Sequence, residues 1–264
     1  MMLVVSYGLF FYAIFMVLEN NPYRWSFLHD NLLTIVLGIA AGIGLLVSQA
    51  VHLGLFLKNE TDIQTNEVLQ LSVERSFLNL ILPLRFGLIY LLAKTHKKVS
   101  KKTLLEFYVV NAITTIFVAS IITLLLINRH VLAFLLVVLS FATNYYVGGQ
   151  YQRFIKINLL YLSLSFCFIF MSLYVILSMN FEFVDISLVI AGTLMLNILS
   201  VFSITPGNLG VREFAIAALY GYFENFSSVM SFKIGVDYFF LRLISVILLV
   251  VVIRLLARAK QYSS

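Results

Sequence analysis

Long apolar stretches, separated by short polar punctuation, follow one another along almost the whole chain. Unbroken helical candidates fall at Leu3–Leu18, Leu32–Leu57, Leu104–Ile127, Val131–Val147, Leu159–Met179, Ile186–Ile204 and Ile234–Ile253. Two further apolar segments are interrupted, Val68–Ala93 around Pro83 and Leu199–Phe223 around Pro206. A helix needs ~20 apolar residues to cross a hydrocarbon core ~30 Å thick, and several of these runs reach that length. The pattern predicts an all-α, polytopic membrane helix bundle. No Ser/Gly linker separates the runs, so residues 1–264 read as a single integral membrane domain.

Composition points the same way. Of 264 residues, 61% are hydrophobic and only 11% charged, against roughly 25% charged in soluble chains. So few charges cannot cover a water-soluble surface, which excludes a soluble catalytic domain. The net charge of +6 sits in short connections rather than in a basic domain. It therefore suits cytoplasmic loops beside lipid headgroups, and no nucleic-acid partner is expected. The first run lacks a basic start and a small-residue cleavage site, so it reads as a retained span and not a signal peptide. Cys167 is the only cysteine; it allows no internal disulfide, and inside its apolar run it reads as a buried structural thiol.

Lys and Arg in short loops set orientation. The loop Lys94–Lys102 is the strongest basic cluster and is expected to be cytoplasmic, together with the loop carrying Arg153 and Lys156 and the C-terminal tail with Arg254, Arg258 and Lys260. No basic residue lies between Lys58 and Arg75 or between Lys156 and Arg212, so those connections are expected outside. Counting each broken segment as one crossing gives about nine, with the N-terminus outside. If the broken segments dip in and return, the count is about seven.

The interruptions carry the most information. One reads Asn79-Leu80-Ile81-Leu82-Pro83-Leu84-Arg85-Phe86-Gly87, the other Pro206-Gly207-Asn208-Leu209-Gly210-Val211-Arg212-Glu213. Both place Pro-x-x-x-Gly near an Arg inside apolar sequence. Proline removes a backbone donor, and freed backbone groups in hydrocarbon cost several kcal/mol unless protein or water satisfies them. Such breaks are tolerated where they line an enclosed cavity, and an opposed pair is the mark of an inverted repeat whose half-helix ends face an anionic group. Arg85, Arg212 and Glu213 each need a partner or a wet cavity at membrane depth. Elsewhere, Asp237 and Arg242 lie near the start of the last run and are expected at an interface. Gln49 and His52 share one helix face and suit interhelical hydrogen bonds. Gly38-x-x-x-Gly42 is a close-packing signature, and Tyr145, Tyr146 and Tyr151 sit where an interfacial aromatic belt belongs.

The pattern Asn79 to Gly87 followed by a basic loop, and Pro206 to Glu213 as a second signature, resemble the lysylphosphatidylglycerol synthase transmembrane-region family, whose members are described as flippase-like. Leu84, Leu88 and Tyr90 stand where that family usually carries Gly, an acidic residue and Arg. The resemblance covers most of the chain and implies a membrane domain without the cytosolic aminoacyltransferase domain. It implies binding, and translocation, of an anionic or phosphate-linked lipid: a membrane phospholipid or a polyprenyl-phosphate-linked lipid of cell-envelope metabolism. The candidate lipid-binding residues are Asn79, Pro83, Arg85, Gly87, Pro206, Gly207, Gly210, Arg212 and Glu213.

A membrane-embedded transferase acting on a lipid-linked donor is the alternative. It would need a paired acid and base or metal-binding carboxylates, and Glu106 and Asp237 stand isolated. A third reading is a non-catalytic subunit working with envelope-biosynthesis enzymes. The expectation is a non-enzymatic cell-membrane protein with no cofactor and no metal.

Overall fold

The computed structural model describes residues 32–58, 65–81, 86–95, 99–126, 128–146, 149–181, 183–201 and 228–262, with positions 12, 15, 215, 216, 218 and 219. Eight helices follow one another: α1 (Leu32–Leu57), α2 (Thr65–Ile81), α3 (Phe86–Thr95), α4 (Lys101–Leu126), α5 (His130–Tyr146), α6 (Gly149–Asn180), α7 (Ile186–Val201) and α8 (Ser228–Tyr262). Among the described residues there is no strand. Four helices are long and apolar enough to cross a membrane, over Leu32–Leu57, Lys101–Leu125, Tyr151–Asn180 and Lys233–Leu255. The run Leu3–Leu18 lies outside the described residues apart from Tyr12 and Phe15.

Local chemistry sets the helix ends. Ser100 Oγ accepts the Thr103 N–H at 3.0 Å, and Asp185 Oδ1 accepts the Ser187 N–H at 2.8 Å; each satisfies a donor that the first helical turn leaves unpaired. Asn128, at φ 59°, closes α4 with a left-handed residue of the kind that ends many helices. Its N–H reaches Leu125 O, and the next N–H reaches Leu124 O. At the end of α1 a long-range partner takes over: the Arg153 guanidinium donates to Leu55 O and Phe56 O at 3.2 and 3.1 Å.

Packing centres on α1 and α6, which run antiparallel. Gly38 lies against Val175 and Gly44 against Phe168, while His52 meets Asn158. On its other side α1 runs parallel to α8, with Gly38 against Leu241 and Gly42 against Ser245. A Cβ on Gly42 would stand 2.2 Å from Ser245 Oγ, and one on Gly44 2.2 Å from the Phe168 ring. Gly38-x-x-x-Gly42 is therefore a close-packing seam, as its spacing predicts, and Ser245 Oγ reaches the Ile39 carbonyl through it at 3.1 Å.

The buried side chains form two apolar layers. One joins Leu53, Phe56, Leu71, Leu91, Phe107 and Phe154, and the other joins Leu45, Leu173, Val189, Ile216, Tyr238 and Leu241. The first layer gathers the C-terminal end of α1, the N-terminal part of α2, the C-terminal half of α3 and the N-terminal parts of α4 and α6. Lys58, Lys94, Lys101, Lys102, Arg153 and Lys156 thus share one end of the bundle, and the parallel course of α8 carries Arg254 toward that end too.

This arrangement corrects one expectation. The end of α1 and the start of α2 both lie at the basic end, because Val68 and Leu71 pack with Leu53 and Phe56. Placing their connection on the opposite side from Lys94–Lys102 relied on its lack of Lys and Arg, which is a weaker constraint than packing. Helices α2 and α3 then run antiparallel, Tyr90 O–H donating to Glu74 across them. Both outer ends of the first broken segment return to the basic end. Pro83 and Arg85, between the two helices, lie outside the described residues.

Candidate functional site

Between the two apolar layers lies a layer of polar side chains. Helix α1 supplies Gln49 and His52, one turn apart. His52 is 4% exposed, sandwiched between Tyr161 (ring centroids 4.4 Å, nearly parallel) and Phe107 (4.8 Å). Its Nε2 lies 2.6 Å from Asn158 Oδ1, so with the amide oxygen as acceptor Nε2 carries the proton. Helix α2 adds a face of Ser72, Arg75, Ser76 and Asn79, spaced at helical intervals. Ser76 Oγ lies 2.8 Å from both Gln49 Oε1 and Ser72 O, sharing one proton between them. Gln49 also hydrogen-bonds the Tyr161 hydroxyl. The Gln49–His52 face thus ties α1 to α2 and α6, the packing role its spacing predicts.

Two guanidinium groups enter this layer. Arg75 lies over the Tyr108 ring, 5.0 Å from its centroid, and interacts electrostatically with both His52 and Tyr161. Arg242 of α8 is near enough to act on Tyr161 electrostatically. Both arginines are half-buried, and no carboxylate pairs with either among the described residues. The nearby acids are engaged elsewhere. Glu74 accepts from Tyr90 and Gln70, and Asp237 pairs with Lys233 at 3.1 Å. An Arg at membrane depth costs about 2.5–3.5 kcal/mol on insertion scales, so each would need a partner or water there. Asp237 lies one turn from Lys233, near the end of α8 opposite the basic end. Arg242 lies five residues further along α8 and is half-buried.

Two buried amide atoms in this region also lack hydrogen-bond partners: Asn158 Nδ2 on α6 and Asn111 Oδ1 on α4. Asn158 is 0% exposed. Because Phe107 packs on Phe154, and Asn111 and Asn158 each lie one turn further along these parallel helices, the two amides stand at one level.

Of the residues expected to form the site, Asn79 is described. It is half-buried and lies one turn beyond Arg75 on the same face of α2. Gly87 falls in the first turn of α3. Pro83, Arg85, Pro206, Gly207, Gly210, Arg212 and Glu213 lie outside the described residues. Ile216, three positions after Glu213, is fully buried with Leu196, Tyr238 and Leu241. Arg75, Tyr161, Asn111 and Asn158 are not singled out by the sequence, although Ser72, Arg75, Ser76 and Asn79 form a polar stripe at helical spacing that marks the face.

A separate cleft of about 320 Å³ opens between α4, α6 and α7, lined by residues such as Ala119, Leu162, Phe166, Cys167 and Asn197. It is apolar and holds no charged group. Cys167 is exposed there, not buried as its apolar run suggests, because it lies on the α6 face turned away from α1. Among the described residues no group of His, Cys, Asp or Glu is placed to hold a metal ion.

Comparison of the chain with protein-family models, curated proteins and solved structures finds no match.

Proposed function

We propose that this protein binds an anionic, phosphate-linked lipid inside its helix bundle and carries the headgroup across the membrane. The observation that carries the reading is the pair Arg75 and Arg242, both half-buried on different helices and with no carboxylate partner among the described residues. A phosphate supplies the missing charge, and the planar guanidinium offers it paired donors. The lysines and arginines gathered at one end of the bundle would draw anionic headgroups to the cytoplasmic surface.

The two broken segments would complete the chamber as an inverted pair. Asn79 borders it from the first segment, Ile216 lies in the interior with the second, and Arg85 and Arg212 would add donors from the breaks themselves. With α2 and α3 entering and returning at the basic end, and with Leu3–Leu18 and the second broken segment as one crossing each, the chain crosses eight times and both termini are cytoplasmic. The resemblance to the flippase-like family points to the same activity.

Mass spectrometry of the lipids retained by the protein in gentle detergent tests this. Anionic phospholipid or polyprenyl phosphate should be enriched over its share of the surrounding membrane. A retained lipid profile identical to the bulk membrane would overturn the binding reading. In vesicles, the protein should speed transfer of a fluorescent anionic lipid between leaflets; an unchanged transfer rate would remove the translocation step alone.

A further inference from the structure

We infer that His52 takes up a proton when an anion binds near Arg75, so that the protein holds the two together. The inference rests on the anionic-lipid reading and adds to it a proton as the coupled ion. Imidazole is the side chain whose charge ordinarily changes between about pH 5 and 8. Among the described histidines, His52 alone is buried. Its Nε2 is committed to Asn158 Oδ1 at 2.6 Å, which leaves the lone pair of Nδ1 as the place for an added proton. Among the described residues Nδ1 makes no hydrogen bond. A proton needs no headgroup-sized cavity there, only that open lone pair.

The charges around the ring decide when the proton is held. From α2 the ring meets Arg75. From α6 it is stacked by Tyr161, on which Arg242 of α8 acts, and from α4 it is packed by Phe107. The carboxylates of α2 and α4 are placed elsewhere. Glu67 lies in the first turn of α2, Glu74 accepts from Tyr90 and Gln70, and Glu106 lies 4.0 Å from Lys102 near the start of α4. An imidazolium near Arg75 sets two like charges in one buried layer, and Coulomb repulsion opposes it. A bound anion offsets that repulsion. By linkage, the factor by which the anion favours the proton is the factor by which the proton favours the anion. An anion that travels with a proton also crosses the membrane with its charge neutralised.

Isothermal titration calorimetry of phosphatidylglycerol into the purified protein in detergent tests this, with zwitterionic phosphatidylcholine as the control. The phosphatidylglycerol phosphate stays charged throughout the range used, so a pH dependence belongs to the protein. Affinity should be about tenfold higher at about pH 5 than at about pH 8. At a fixed pH between these, two buffers of different ionisation enthalpy should reveal proton uptake on binding. His52→Gln should flatten the pH dependence and abolish the uptake. If that variant does not fold, the wild-type proton count still decides the question.

Equal affinity at both pH values with no proton taken up would overturn the coupling and leave the anionic-lipid reading in place. A pH dependence retained in folded His52→Gln protein would overturn the assignment to His52. Phosphatidylglycerol binding no tighter than phosphatidylcholine at either pH would overturn the anionic-lipid reading and this inference with it.

Discussion

Gly44 shows how tightly single residues are constrained here. Its missing Cβ would stand 2.2 Å from the Phe168 ring, and a ring packed between helices cannot yield without moving its own helix. Gly44→Val should therefore cost about 1–3 kcal/mol, measured as a lower thermal midpoint in detergent; an unchanged midpoint would mean the α1–α6 seam is looser than described. Asp185 gives a prediction in pH. Hydrogen bonds from the Ser187 hydroxyl and then its N–H hold this exposed carboxyl below its ordinary range. A carboxylate held low in the folded state contributes stability that is present above its unfolded pKa and lost as pH falls through the folded one. The start of α7 should thus loosen in acid, seen as faster amide exchange near Ser187, and Asp185→Asn should flatten that dependence. At this scale the sequence is legible where spacing alone decides, as at Gly38 and Gly42, or at Gln49 and His52. It is not legible for Cys167, whose apolar run does not tell which face of α6 turns away from α1.

Most helices are legible because apolar runs of spanning length have few alternatives, and α1 begins and ends where its run does. The differences concern polar extensions. Helix α6 starts at Gly149 rather than Leu159, since Phe154 and Ile157 bury one face of that turn while Arg153 and Lys156 keep the run from reading as apolar. The α2–α3 pair was harder to read: α2 carries Glu67, Gln70, Glu74 and Arg75 in its 17 residues, and charge counting put its start at the wrong end. The structure makes a direct topological prediction. In a Cys167→Ser background, cysteines replacing Lys58 and Lys101 should both be shielded from an impermeant thiol reagent in intact cells, and one replacing Phe183 should react. Opposite behaviour of the first two positions would contradict the hairpin.

Over the whole molecule, two apolar layers enclose a polar one, and the chemistry collects where α1, α2, α4, α6 and α8 converge. The sequence motifs point toward this centre without containing it. Asn79 continues the polar face of α2 that carries Arg75, a face its helical spacing marks, whereas Tyr161 stacks on His52 through helix packing that no local pattern encodes. The central claim is that Arg75 and Arg242 hold a lipid phosphate. The most direct measurement is anionic-lipid affinity by native mass spectrometry for the wild type, Arg75→Gln with Arg242→Gln, and Arg75→Lys with Arg242→Lys, each checked for folding by its thermal midpoint. The paired Gln variant should lose roughly tenfold or more in affinity, and the Lys variant should recover only part of it, keeping the charge but not the forked donors. A folded Gln variant that binds anionic lipid as tightly as the wild type would contradict the account.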